Sequence, residues 1–204
     1  MEKTITKEKA DELMGIKGEL RGAVFKADVG FITREKGEEG LRKVEDEMKS
    51  LGYVFKYNDI KAMEFYPLGL RAVSLLAIKK VLGFSDEKIK EMGFYVAKSS
   101  FVLRLSLKFF GLTRKAELYY RNTPNLWKKF VTIGEYSIPE FDEEKKKIVV
   151  NRIKGLSGNP IFCTYLSGII LGFLEVARGI SGVQVEETKC TFKGDEYHEF
   201  VLKW

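Results

Sequence analysis

The Cys and His side chains, the usual ligands of zinc, are confined to the last quarter of this 204-residue chain. The only His, His198, and one of the two Cys, Cys190, lie in the closing segment; the other, Cys163, opens a hydrophobic stretch upstream. Glu187, Cys190 and His198 read E-x2-C-x7-H. Two thiolates, an imidazole and a carboxylate suffice for a tetrahedral zinc ion. The residue types therefore allow a structural zinc held by Cys163, Glu187, Cys190 and His198. Four protein ligands would leave no open position for a catalytic water. An ordinary reading stands beside this one: free Cys are commonly small buried hydrophobes, and a strand His is commonly a polar surface group. Strand parity also separates Glu187 from Cys190, because residues three apart point to opposite faces. A shared metal needs a bulge or a frayed strand start, with a water or Glu186 as the alternative to Glu187.

These residues must be positioned by a folded domain. Hydrophobic content of 45% and aromatic content of 13% place the chain among globular proteins. Two Cys and a charged N-terminus without an apolar core segment predict a reducing, cytoplasmic setting. The net charge of +6 raises nucleic acid as a partner. The basic residues are interspersed with acidic ones, and the densest run, Lys145-Lys146-Lys147, follows Asp142-Glu143-Glu144. No nucleic-acid partner is expected.

Residues 156–174 carry no charge and approach the length of a membrane span. The segment opens on Gly158-Asn159-Pro160, a helix start, and contains Ser, Thr and Tyr. It reads as a buried helix and not as a span. Gly168 and Gly172, four apart, flatten one face for close packing against a sheet or a twin helix; a homodimer is expected.

Upstream, 5–14 reads as a short polar helix. Residues 20–31 and 41–51 read as helices separated by Gly37-Glu38-Glu39-Gly40, and 53–66 as extended. Residues 68–82, apolar almost all round, predict a central helix. Ser85 and Asp86 cap the next, to about Ala97. Residues 99–110 and 112–130 read as further helices, the second broken at Pro124. Strands are predicted at 145–153, 183–192 and 197–204, the last two as a hairpin turning at Lys193-Gly194-Asp195. The fold class is α+β: a helix-rich first two-thirds, then a small antiparallel sheet crossed by one long helix. One domain, 1–204, is expected, with 1–130 mainly helical and 131–204 carrying the sheet, buried helix and hairpin.

Aromatic residues crowd 94–130. At helical spacing they read as core; with a few polar groups they could line an apolar pocket. No catalytic constellation assembles: there is no second His, no phosphate-binding Gly loop and no Ser-His-Asp triad.

Two stretches carry resemblances. The closing segment, with Cys190, Gly194, Asp195, Phe200 and Val201, resembles the 4-vinyl-reductase-type domain, with His198 where that family has its second Cys. The resemblance implies a zinc held by Cys163, Glu187, Cys190 and, by substitution, His198. Further upstream, the order of Gly22-Ala23-Val24-Phe25, Glu39–Leu41, Tyr66-Pro67, Leu82–Ser85 and Met92–Val96 resembles haem-nitric-oxide-binding domains. That superfamily also includes small subunits of transport-protein-particle tethering complexes.

Trp127 stands where the haem family has its iron-ligating His, and the propionate-gripping motif expected near 149–153 is absent, so haem is not expected. The resemblance instead implies a pocket for a small hydrophobic or aromatic ligand, lined partly by Tyr95, Phe101, Trp127 and Phe130. Three readings follow: a sensory or carrier module with structural zinc, a dimeric assembly protein, or a tetrapyrrole-related enzyme or carrier.

Overall fold

The computed structural model describes residues 5–99, 105, 116–145 and 147–204, the side chains of 116–120 excepted. The order of elements is α1 (Lys7–Met14), β1 (Glu19–Arg21), α2 (Ala23–Ser50), β2 (Phe65–Pro67), α3 (Leu68–Leu82), α4 (Asp86–Ser99), α5 (Ala116–Phe130), β3 (Glu135–Asp142), β4 (Ile148–Lys154), α6 (Ile161–Arg178), β5 (Gln184–Lys189) and β6 (His198–Lys203). The architecture is α+β.

Local chemistry sets the helix limits. Thr6 caps α1, its Oγ1 accepting from Lys9 N at 3.3 Å. Ser85 caps α4 in the same way, accepting from Lys88 N at 3.2 Å. The left-handed Gly83 closes α3. The break expected at residues 37–40 is present as a kink: Gly37 takes φ 66°, ψ −174°, outside helical geometry, and divides α2 into two helical stretches. Pro124 does not break α5. The helix expected at 99–110 falls largely outside the described residues.

The main sheet is antiparallel, in the order β3-β4-β6-β5. Its edge strand β3 was not expected from sequence. Pro139 lies within it, at a register shift between Ser137 and Glu140. Proline cannot donate to a ladder and is confined to edges and bulges, so the strand signal is interrupted there. A second, two-stranded sheet pairs β1 with β2, and a bridge from Leu20 to Val131 ties the end of α5 to it.

Register decides which strand residues face inward. Val149 pairs with Leu202, Asn151 with Phe200 and Ile153 with His198. All six are fully buried, so His198 points into the protein by the same period-2 alternation that buries Phe200 and Leu202.

The close neighbour of Gly168 and Gly172 is neither a sheet nor a second copy. α6 packs chiefly along α4 of the same chain, touching β5 and β6 less. A methyl group on Gly168 would lie 1.9 Å from the Lys90 carbonyl oxygen, one on Gly172 2.8 Å from that of Phe94, and one on Gly93 2.1 Å from that of Tyr165. The backbones thus meet without side chains between them. The expected packing of this helix on the sheet is corrected accordingly, and the glycine face offers nothing to a twin helix. By length and composition α6 could cross a membrane. Here it is a core helix, with Phe162, Tyr165, Ile170 and Leu174 buried.

Gly168→Ala should destabilise the protein by about 3 kcal/mol or more, because the obstacle is backbone and cannot rotate away. Gly179→Ala meets no atom but carries φ 67° and should cost only about 1 kcal/mol. Urea unfolding of the two variants checks this contrast.

Candidate functional site

Two features of α6 carry chemistry. The first is at its N-terminus. Cys163 lies in the opening turn, Glu187 on β5, Cys190 just beyond it, and His198 at the start of β6. Their donor atoms all lie within 4.8 Å of one another. Cys163 Sγ is 3.6 Å from Cys190 Sγ and 3.4 Å from His198 Nδ1, and His198 Nδ1 is 3.6 Å from Glu187 Oε1.

The parity problem is met by a register shift between Glu187 and Lys189. The extra residue lets Glu187 and Cys190 turn toward the same point. On the far side of the ring, His198 Nε2 lies 2.7 Å from Thr191 Oγ1. That contact holds the ring with Nδ1 facing the thiols. Cys190 N donates to Asp195 Oδ2 at 2.8 Å, which fixes the loop.

Burial, with the Glu187 carboxylate beside it, pushes the Cys163 thiol up. Burial also acts to raise Glu187, but the imidazole and the two thiols beside it, with Lys193 nearby, hold it below the usual carboxylate value. Glu187 Oε1 is buried and has no conventional hydrogen-bond partner. The arrangement is a compact, mostly buried set of two sulfurs, one nitrogen and one oxygen, a donor set suited to a thiophilic metal ion.

The second feature is a cavity of about 120 Å³. α6 supplies Phe162, Tyr165 and Ile169 to its wall; α5 supplies Leu126, Trp127 and Phe130. Of the four expected pocket residues, Trp127 and Phe130 line it. Tyr95 does not; its ring packs 5.6 Å from that of Phe31, with the Arg34 guanidinium 5.0 Å away. Phe101 lies outside the described residues. Trp127 is held by its indole N–H, which lies 3.0 Å from Ile133 O and 3.1 Å from Gly134 O. Tyr136, also on the wall, donates to Asn151 Oδ1 at 2.6 Å.

Sequence reading missed a buried ion pair behind the wall of this cavity. Arg71 of α3 lines it and is 1% exposed. It forms a two-pronged ion pair with Asp28 of α2; the second contact, Nη2 to Oδ1, is 3.1 Å. The Arg71 guanidinium carbon lies 4.4 Å from the centre of the Tyr165 ring. Burial pushes the Asp28 carboxyl up against the pull of Arg71, while Asp28 keeps Arg71 firmly protonated despite its burial. The signal was present in the sequence: a lone Arg in a helix apolar all round, and an Asp on the apolar side of α2, are charges that seldom go inside unpaired.

No protein-family model and no curated protein matches the chain. Solved structures do. An H-NOX (haem nitric oxide/oxygen binding) protein from S. oneidensis in the Fe(II)NO state aligns with TM-score 0.62 at 9% identity, covering 90% of this chain and 98% of that one. A structure from a study of haem distortion in the H-NOX family aligns with TM-score 0.61 at 15% identity, covering 91% and 95%. The CO-bound H-NOX domain of Shewanella oneidensis gives 0.57 at 11%, covering 90% and 98%. At these identities the likeness establishes the fold alone.

It nevertheless overturns three expectations. The 4-vinyl-reductase and tethering-subunit assignment is replaced by the H-NOX fold. Zinc as the cofactor finds no support, since the solved neighbours are haem proteins in Fe(II) ligation states. The exclusion of haem, argued from Trp127, fails as a general statement because this fold does carry haem.

The fit of this chain's own residues to haem is a separate matter. Protein ligands to haem iron are His, Cys, Met or Tyr. The single His is in the sulfur cluster, and among the described residues the cavity wall offers only the phenols of Tyr136 and Tyr165. Tyr136 is engaged with Asn151, and burial pushes the Tyr165 hydroxyl up, away from phenolate. Among the described residues, then, no side chain of the wall stands ready as an iron ligand.

Tyr136→Phe should lower stability by about 1–3 kcal/mol, because it strips the fully buried Asn151 of its donor. Thermal unfolding, with far-UV circular dichroism to confirm the fold, checks it.

Proposed function

We propose that the chain is a small-molecule-binding module built on the H-NOX fold, taking a mainly hydrocarbon ligand in the cavity between α5 and α6. The observation that carries this reading is the cavity, walled by Leu126, Trp127, Phe130, Phe162 and Ile169. Its volume is close to that of an apolar protein cavity of ~150 Å³ that stays dry and takes up benzene. The ligand is therefore about the size of a six-carbon ring. The H-NOX fold favours a second occupant, a tetrapyrrole, which would require the cavity to open.

Native mass spectrometry of the purified protein separates the two. A retained organic mass near ~100 Da supports the first reading; a haem-sized mass, or a saturable one-to-one Soret band on haemin titration, replaces it with the second. Trp127 fluorescence should respond to benzene or cyclohexane, and Trp127→Phe should remove most of the signal, because the only other Trp is the terminal Trp204. No response to any ring-sized hydrocarbon sinks the pocket.

The cysteine cluster has a separate role in this reading. Cys163, Glu187, Cys190 and His198 hold one thiophilic divalent ion that fastens the start of α6 to the β5–β6 hairpin. Support comes from the four converging donors and the bulge that turns Glu187 toward them. Cobalt(II) titration should give a one-to-one thiolate charge-transfer band, lost in Cys190→Ser. A strong chelator should lower the melting temperature of the metal-loaded protein but not of that variant. Elemental analysis names the ion. No band, with both thiols freely reactive in the native protein, would leave the two Cys as packing residues.

A further inference from the structure

Among the described residues, five around the cavity carry a polar side-chain group: Arg71, Thr123, Trp127, Tyr136 and Tyr165. The surface the cavity presents is nevertheless almost wholly carbon. Each polar group is covered or already engaged. The Trp127 indole N–H faces the Ile133 and Gly134 carbonyls at 3.0 and 3.1 Å. The Arg71 fork faces Asp28. Arg71 Nε and the Tyr165 hydroxyl are buried, with practically no accessible surface of their own. Thr123 is buried and has a partner as well.

The fifth group, the Tyr136 hydroxyl, is engaged by a residue whose position calls for an explanation. Asn151 sits mid-strand in β4 on the inner face, between Val149 and Ile153, and is fully buried. A buried amide is costly unless it is hydrogen-bonded, and an apolar residue there would pack without that cost. The amide's other contact, Nδ2 to the Phe200 carbonyl, is long at 3.5 Å. Its short contact, at 2.6 Å, is the one that takes up the hydroxyl of a cavity-wall tyrosine.

This bears on what can enter. A guest hydroxyl or carbonyl gives up its hydrogen bonds to water on entering such a wall and finds no partner in exchange. A guest made only of carbon and hydrogen gives up nothing. Building on the pocket reading, we infer that the cavity takes hydrocarbons without polar groups and refuses phenols, alcohols and ketones of the same size. Asn151 is a positioning residue for this selectivity, because it holds the Tyr136 hydroxyl to the sheet and withholds it from the guest.

Two matched pairs of probes test this on the full chain by calorimetry and Trp127 fluorescence: benzene with phenol, and cyclohexane with cyclohexanone. The hydrocarbon of each pair should bind about 10- to 100-fold more tightly than its partner, the penalty of one buried oxygen left unpaired. Asn151→Leu keeps the volume of the side chain but removes the acceptor for Tyr136. It should cut the cyclohexane-to-cyclohexanone ratio about 10-fold, because the released hydroxyl can then donate to the ketone. A role in packing alone would change the affinities of both members alike. Tyr136→Phe should leave the ratio as it is in the unaltered protein.

Equal binding within the pairs by the unaltered protein overturns the selectivity while leaving the pocket reading intact. Binding of none of the four removes the pocket reading, and the selectivity with it. An unchanged ratio in Asn151→Leu overturns the role of Asn151. Should that variant fail to fold, Tyr136→Phe decides in its place: a preserved ratio sustains the withheld hydroxyl, and a changed one overturns it.

Discussion

The direct contact of α4 and α6 backbones fixes everything else of interest. Gly93 seats the Tyr165 carbonyl, and Gly168 seats that of Lys90. Any side chain at these points would hold the helices apart, so the contact sets both their separation and their register. That register delivers Cys163 to the hairpin. It also sets Tyr165 against Arg71 and turns Phe162 and Ile169 to the cavity. The two candidate sites therefore share one rigid carrier, and a shift of α6 by one residue would dismantle both. Side chains on packed helices have discrete arrangements and do not slide continuously.

Strand alternation supplies the other half of the geometry. β6 presents His198, Phe200 and Leu202 inward. Phe200 and Leu202 build core, and the same parity carries His198 to the thiols at the strand's end. One step of slippage would send the imidazole to solvent and Val201 inward. The central Asn151 on the same face is a polar liability that Tyr136 relieves, so a cavity-wall residue also satisfies the sheet. The wall is thereby tied to the register of β4.

Where the sequence was legible, periodicity or capping made it so. α3, α4 and α6 were readable from apolar spacing, Ser85 and Pro160, and the closing hairpin from its turn at Gly194. The convergence of Cys163, Glu187, Cys190 and His198 could be posed as a question, because the condition for it, a bulge, follows from strand geometry; only three-dimensional placement supplies the bulge. The partner of Gly168 was not legible. A four-residue glycine spacing announces a close approach but not to what, and α4 announces its side of it with the single Gly93. Tyr95 was misplaced for a related reason: aromatic type does not say which face of a helix meets a cavity and which meets Phe31.

The Asp28–Arg71 pair is the least legible feature and the most telling. Its members are 43 residues apart and meet only because α2 and α3 pack together. A buried ion pair is weak evidence for stability, since well-packed apolar residues of similar size commonly serve as well or better. Here the pair leaves Arg71 Nε unpartnered, and a buried donor left unmade costs about 1–3 kcal/mol. A group that served only the core would be expected to satisfy itself there. Arg71 instead lies behind the wall of a hydrocarbon cavity, its charge compensated by Asp28 and its Nε covered and unpartnered.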